Sequence, residues 1–255
     1  MTSETDNKAN PVLRAQELMR AELPKRFYKL ASVEPREGGR AVLLDGRPVK
    51  TPGRNVLLLP TDSAASLVRD EWEQQKEVID PARMPITRLA NTVIDGVTLN
   101  HEAVFEEIIA YSGNDMLFYR AESPRELVDR QHEKWDPILD WAGEELGARF
   151  VLVEGIVHAG QPEESILAIR REMGQHRDLF ALGSLHVITT VTGSALLALA
   201  LVRGRIDLDE AWQLANLEED WTIEHWGRDE EADKRRAKHY EDLKAAHDLA
   251  KAVQE

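Results

Sequence analysis

The chain has 255 residues, 42% of them hydrophobic and 31% charged, with a formal net charge of −14. That length and apolar content suffice for one large domain or two small ones. The acidic excess argues against nucleic acid and anionic membrane surfaces as partners, because like charges repel. The absence of cysteine excludes disulfides, thiolate zinc sites, iron–sulfur clusters and cysteine nucleophiles.

Residues 1–24 read as a mobile polar tail with a short helix between Pro11 and Glu22. They lack the apolar core of a signal peptide and carry acids that a mitochondrial transit peptide avoids. The expected setting is a bacterial cytoplasm, or the mitochondrial matrix for a processed eukaryotic chain. From Arg26 an antiparallel meander is predicted: Arg26–Val33, Ala41–Leu44, Arg47–Thr51 and Asn55–Leu59. Asp45-Gly46 supplies the two residues tolerant of positive φ that a type I′ turn needs. A sheet of this size needs helices over its apolar face. They are predicted from Thr61 or Asp62 to Lys76, with Ala65, Val68 and Trp72 on one side, and from a cap at Asn100 to Tyr111. Asp115–Arg120 reads as one more strand.

From Ser123 the helical signals become dense. Ser123-Pro124-Arg125-Glu126 has the form of a capping box with proline at the first helical position. Asp136-Pro137 reads as a helix restart, Phe150–Val153 as a short β-like segment, and Pro162 as a further helix start. Leu185–Val202 has no Asp, Glu, Lys or Arg; it reads as one buried central helix, apolar all round, rather than as a membrane span. The fold class is therefore α+β. The division is a tail (1–24), a helix-covered β-meander domain (25–120) and an all-α domain (121–255).

The least ordinary stretch is Asn216–Glu231, with two tryptophans and seven carboxylates against one arginine. It reads as the end of a helix that starts near Asp207 or Asp209 and stops at Gly227. At about 100° per residue, Leu214, Leu217, Trp221 and Trp226 share one apolar arc, with Glu218 near its middle. A carboxylate there pairs with an arginine of a neighbouring helix, lies at the edge of the stripe, or sits at a boundary another molecule covers. Trp72, Trp135, Trp141, Trp221 and Trp226 are either core rings or exposed anchors for a partner.

No phosphate-binding loop, GxGxxG, GxSxG or HExxH motif occurs. Asp129/His132 and Glu172/His176 have metal-ligand spacing, but each is a single pair without a second. These patterns assign no catalytic residue, metal site or cofactor.

Several segments in this order are similar to one family: Arg26-Phe27-Tyr28, Leu44–Pro52, Glu71-Trp72, Thr87–Thr92, Tyr119-Arg120, Trp135–Ile138, and Leu217-Glu218-Glu219 through Trp226-Gly227. The chain resembles, from about residue 25 to 230, the F1-ATPase assembly chaperones that hold the free α subunit of ATP synthase (in mitochondria, assembly factor 2). It looks like a bacterial member. The resemblance implies a non-enzymatic protein without cofactor, monomeric when free. Such a protein binds unassembled α subunit and shields its β-facing surface until β displaces it. The resemblance also implies a functional glutamate in the helix before Trp226-Gly227. Glu218 or Glu219 matches, and the arc argument favours Glu218. Trp72 matches another family tryptophan, and Trp221 and Trp226 are carried as partner-binding candidates. Two other readings remain: a hydrolase or metal enzyme using segment 216–231, and an interaction module for a different client.

Overall fold

In a computed structural model the described residues are 23–155 and 159–255. The expected helix between Pro11 and Glu22, and nearly all of the expected tail, lie outside them. The chain is α+β, with a small antiparallel sheet followed by helices.

Strands β1 (Ala31–Arg36) and β2 (Gly39–Leu44) form a hairpin in register Ala31↔Leu44 to Arg36↔Gly39. Asp45 and Gly46 both take positive φ, 48° and 79°, as the turn to β3 (Arg47–Pro48) requires. β4 (Leu58–Leu59) pairs with the beginning of β2, and β3 with its end. The first strand starts later than predicted. The Asp45 carboxylate takes up the backbone N–H groups of Lys29 (3.1 Å) and Leu30 (2.9 Å), so these residues bond to a side chain instead of a neighbouring strand.

Helix α1 (Asp62–Glu73) covers the sheet. Thr61 caps it, accepting from the Ala64 N–H at 3.0 Å, and its hydroxyl donates to the Ala252 carbonyl at the far end of the chain. Helix α2 (Pro85–Thr92) runs through a π-turn at Val93–Val97 into α3 (Thr98–Ser112). Asn100 is therefore a kink inside a longer helix (φ −129°) rather than a cap. Glu71, buried in α1, supplies the missing cap of α2 by accepting from the N–H groups of Ile86 and Thr87, each at 2.7 Å.

The predicted strand 115–120 is mostly a 3-10 turn (Met116–Phe118), followed by β5 (Tyr119–Arg120), which pairs in parallel with β6 (Val153–Glu154). Helix α4 (Arg125–Trp141) starts without a side-chain cap and continues through Pro137, contrary to both expectations. Trp135, Ile138 and Trp141 are buried on one face and hold the helix on its axis past the missing N–H. Helix α5 (Glu163–Met173) follows.

The predicted single apolar helix is two. Helix α6 (Leu179–Thr192) ends at Gly193 in the left-handed conformation, and Ser194 caps α7 (Ala195–Val202). Among the described residues no helix is long and apolar enough to cross a membrane. Asp115 is wholly buried against this break and accepts from Ser194 Oγ (2.9 Å) and the Leu196 N–H (3.0 Å). Burial pushes its carboxyl up to about 6.

The predicted helix 207–226 is also two: α8 (Leu208–Ala215) and α9 (Leu217–Trp226), broken at Asn216. The chain ends in α10 (Glu230–Ala252), which packs on α6 and also against α2 and α1. Buried side chains from Tyr28 to Ala252 form one contiguous core.

Candidate functional site

The break at Asn216 (φ −109°, ψ 16°) interrupts the helical phase on which the arc argument rests. Within α9 itself Trp221 and Trp226 point about 140° apart. Trp221 is buried, as on a packing face, but Trp226 is 71% exposed and does not belong to the core. Glu218 and Glu219 are exposed, so Glu218 does not sit inside an apolar stripe.

Glu218 is nonetheless fixed. Its Oε1 accepts from Nε2 of Gln131, a wholly buried side chain of α4, at 2.6 Å. The partner is thus a neutral amide, not the arginine expected of a structural ion pair. The other carboxylates of α9 have cations. Arg130 donates both Nη atoms to Glu224 (3.0 and 2.8 Å), and these bonds hold that carboxyl below the usual range. Arg236 of α10 pairs with Asp220 and, at 3.4 Å, with Glu219. Among the described residues Glu218 is left as a positioned carboxylate without a cation.

At the other end of α9 three rings meet. His225 stacks on Trp221 (4.1 Å between centroids), and its Nδ1 donates to the Trp221 carbonyl at 2.7 Å. Trp226 lies edge-on to Trp221 at 5.2 Å. The buried Trp221 Nε1 has no hydrogen-bond partner among the described residues. The exposed Trp226 ring therefore stands on a rigid base, a geometry suited to anchoring a polypeptide partner.

Trp72 belongs elsewhere. It is half-buried on α1, edge-on to Tyr28 at 5.8 Å, and its carbonyl accepts the Tyr28 hydroxyl at 2.6 Å. It joins α1 to the segment before β1 and is not brought together with α9. Of the metal-like pairs, His132 bonds Asp136 (2.9 Å) rather than Asp129, and Glu172 takes Arg203. Among the described residues no three His, Asp or Glu side chains converge.

An open cleft of about 960 Å³ lies on the opposite side of α9 from Glu218, between α4, α8 and the 205–207 loop. Leu217, Asp220, Ile223 and Glu224 line it from α9, and Glu218, Trp221 and Trp226 do not. Sequence reading passed over this cleft, because its walls come from segments about 75 residues apart along the chain.

Comparison with solved structures places this arrangement. The chain matches Atp12 of Paracoccus denitrificans with a TM-score of 0.84 and 40% identity, over 90% of this chain and 98% of that one. It belongs to the ATP12 chaperone family. The family's model, described as ATP12 chaperone protein, matches residues 25–143. A candidate chaperone from Agrobacterium tumefaciens matches with a TM-score of 0.89 and 50% identity, over 96% of this chain and 92% of that one. The mitochondrial protein atp12 of Schizosaccharomyces pombe is 24% identical over 220 residues, 82% of this chain and 75% of that protein. The two structural likenesses extend well beyond the segment matched by the family model.

Proposed function

We propose that this chaperone acts in assembly of F1 ATP synthase, by binding the free α subunit and covering its β-facing surface until β replaces it. It acts by binding rather than by catalysis, and without a cofactor. The observation that carries the reading is the 40% identity to Paracoccus Atp12 across nearly that whole chain. The exposed Trp226 and Glu218, which has no cationic partner among the described residues, give one short helix a surface: an aromatic anchor and a fixed charge, both held from beneath by buried groups. A free subunit of a ring enzyme exposes interface that aggregates, and a polar, charge-steered contact can protect it yet be displaced. The bacterial origin of the two structural relatives supports a bacterial cytoplasm as its setting.

A hydrolytic or metal-dependent use of segment 216–231 finds no support in α9. Its carboxylates are divided among Gln131, Arg130 and Arg236 instead of converging on one point.

Size-exclusion chromatography of this protein with isolated α subunit from the same source tests the reading. A complex with α that dissolves on adding β is expected. Folded, soluble α that co-elutes with no chaperone would refute it.

A further inference from the structure

The cleft beside α9 has the character of a docking groove. Its floor is aliphatic: Ile138, Ile206, Leu214 and Leu217, with the half-buried Ile223 at one wall. Its two lips differ in charge. On the α4 side Arg130 and Lys134 are already engaged, by Glu224 and Glu133 respectively. On the α8 side Asp207, Asp209 and Glu210 are exposed and outnumber the exposed Arg205 beside them; no ion pair joins these acids to a cation among the described residues. Asp207 also caps α8 and Asp209 accepts the Tyr240 hydroxyl, so the start of α8 presents a net negative rim, three acids against Arg205, above an aliphatic floor on a chain that carries −14 overall.

We propose that this cleft docks an amphipathic basic segment of a partner polypeptide. Apolar side chains of the segment enter over Leu214, Leu217 and Ile223, and its Lys or Arg side chains meet Asp207, Asp209 and Glu210. An amphipathic helix laid in a groove buries its apolar face in this way, and the charged lip selects its sign and speeds encounter. Naming the client as the F1 α subunit rests on the assembly reading above. The chemistry of the segment does not.

A fluorescein-labelled Lys/Leu amphipathic peptide and its Glu/Leu counterpart, titrated by anisotropy against the whole chain, test the cleft. Gln213→Trp fills the groove from an exposed position. Glu210→Lys reverses one of the three acidic charges on the lip. Glu163→Lys, on the exposed start of α5, makes the same charge change elsewhere. The basic peptide is expected to bind wild type, to weaken about tenfold with Gln213→Trp and Glu210→Lys, and to be unaffected by Glu163→Lys; the acidic peptide is expected not to bind. Equal weakening by Glu210→Lys and Glu163→Lys, or wild-type affinity in Gln213→Trp, would overturn the proposal. A parallel titration with isolated α subunit separates the two readings. Wild-type failure there sinks the assembly reading alone, because the peptide still decides the cleft. α binding that Gln213→Trp leaves intact removes the cleft as the client site and leaves the assembly reading standing.

Discussion

Gln131 and Glu218 join α4 to α9 through a single amide. Nε2 of Gln131 donates to Glu218 at 2.6 Å, while its Oε1 accepts the Ala121 N–H at 2.8 Å just past β5. One buried side chain thus ties the end of β5 to the carboxylate that sequence reading singled out. Gln131→Ala leaves the Ala121 N–H without its acceptor and frees Glu218. The expected loss is about 1–3 kcal/mol by denaturant unfolding. Glu218→Gln keeps an acceptor for the same amide and should cost under about 1 kcal/mol.

Glu218→Lys is expected to weaken α-subunit binding at least about tenfold while far-UV circular dichroism stays near wild type and stability falls by only about 1–3 kcal/mol, the cost of leaving the buried Gln131 amide without its acceptor. Equal loss of stability and binding would make Glu218 a structural residue instead.

Trp72→Arg should act on stability. The ring lies between α1 and Tyr28, and a guanidinium there cannot pack on that aromatic edge. A loss of about 2–4 kcal/mol is expected from removing the ring and setting charge in a half-buried site. An unchanged melting temperature would contradict it.

Glu71→Gln should be disruptive although it is nearly isosteric. The carboxylate accepts from two N–H groups and from the Thr87 hydroxyl (2.6 Å), and an amide would turn a donor toward them. Unfolding should show a loss of about 2–3 kcal/mol, and amide exchange should quicken first in α2.

Asp115 gives a pH signature. Its carboxyl is raised from 3.8 to about 6 in the folded chain, so the folded state binds more protons than the unfolded between those values. Its contribution to stability therefore falls as pH rises from about 4 to 6, by roughly 3 kcal/mol at most. Asp45, Asp95 and Glu224, whose carboxyls are lowered, act in the opposite sense and are lost in acid. Urea unfolding of wild type and Asp115→Asn at pH 4 and pH 6.5 checks this: the wild type should lose ground to the variant as pH rises. A gap that widens in favour of wild type would contradict the sign.

The sequence by itself determined the local features. Asp45-Gly46 specified its turn because few residue pairs accept positive φ at both positions. Thr61 specified a helix start because its hydroxyl reaches the N–H three residues on. The ordered segments from Arg26 to Gly227 pointed to the family. Tertiary structure decided the rest. Pro137 reads as a break, yet buried Trp135, Ile138 and Trp141 carry the helix through it. The apolar run 185–202 reads as one helix, yet Asp115 stabilises a new N-terminus within it. Trp226 lies about 140° around α9 from the buried Trp221, so it faces water, and Glu218 meets Gln131 instead of a core. Such outcomes depend on groups far apart in sequence: hydrogen bonds between residues 79, 81 and 87 positions apart set them. Local periodicity carries no information about partners at that separation.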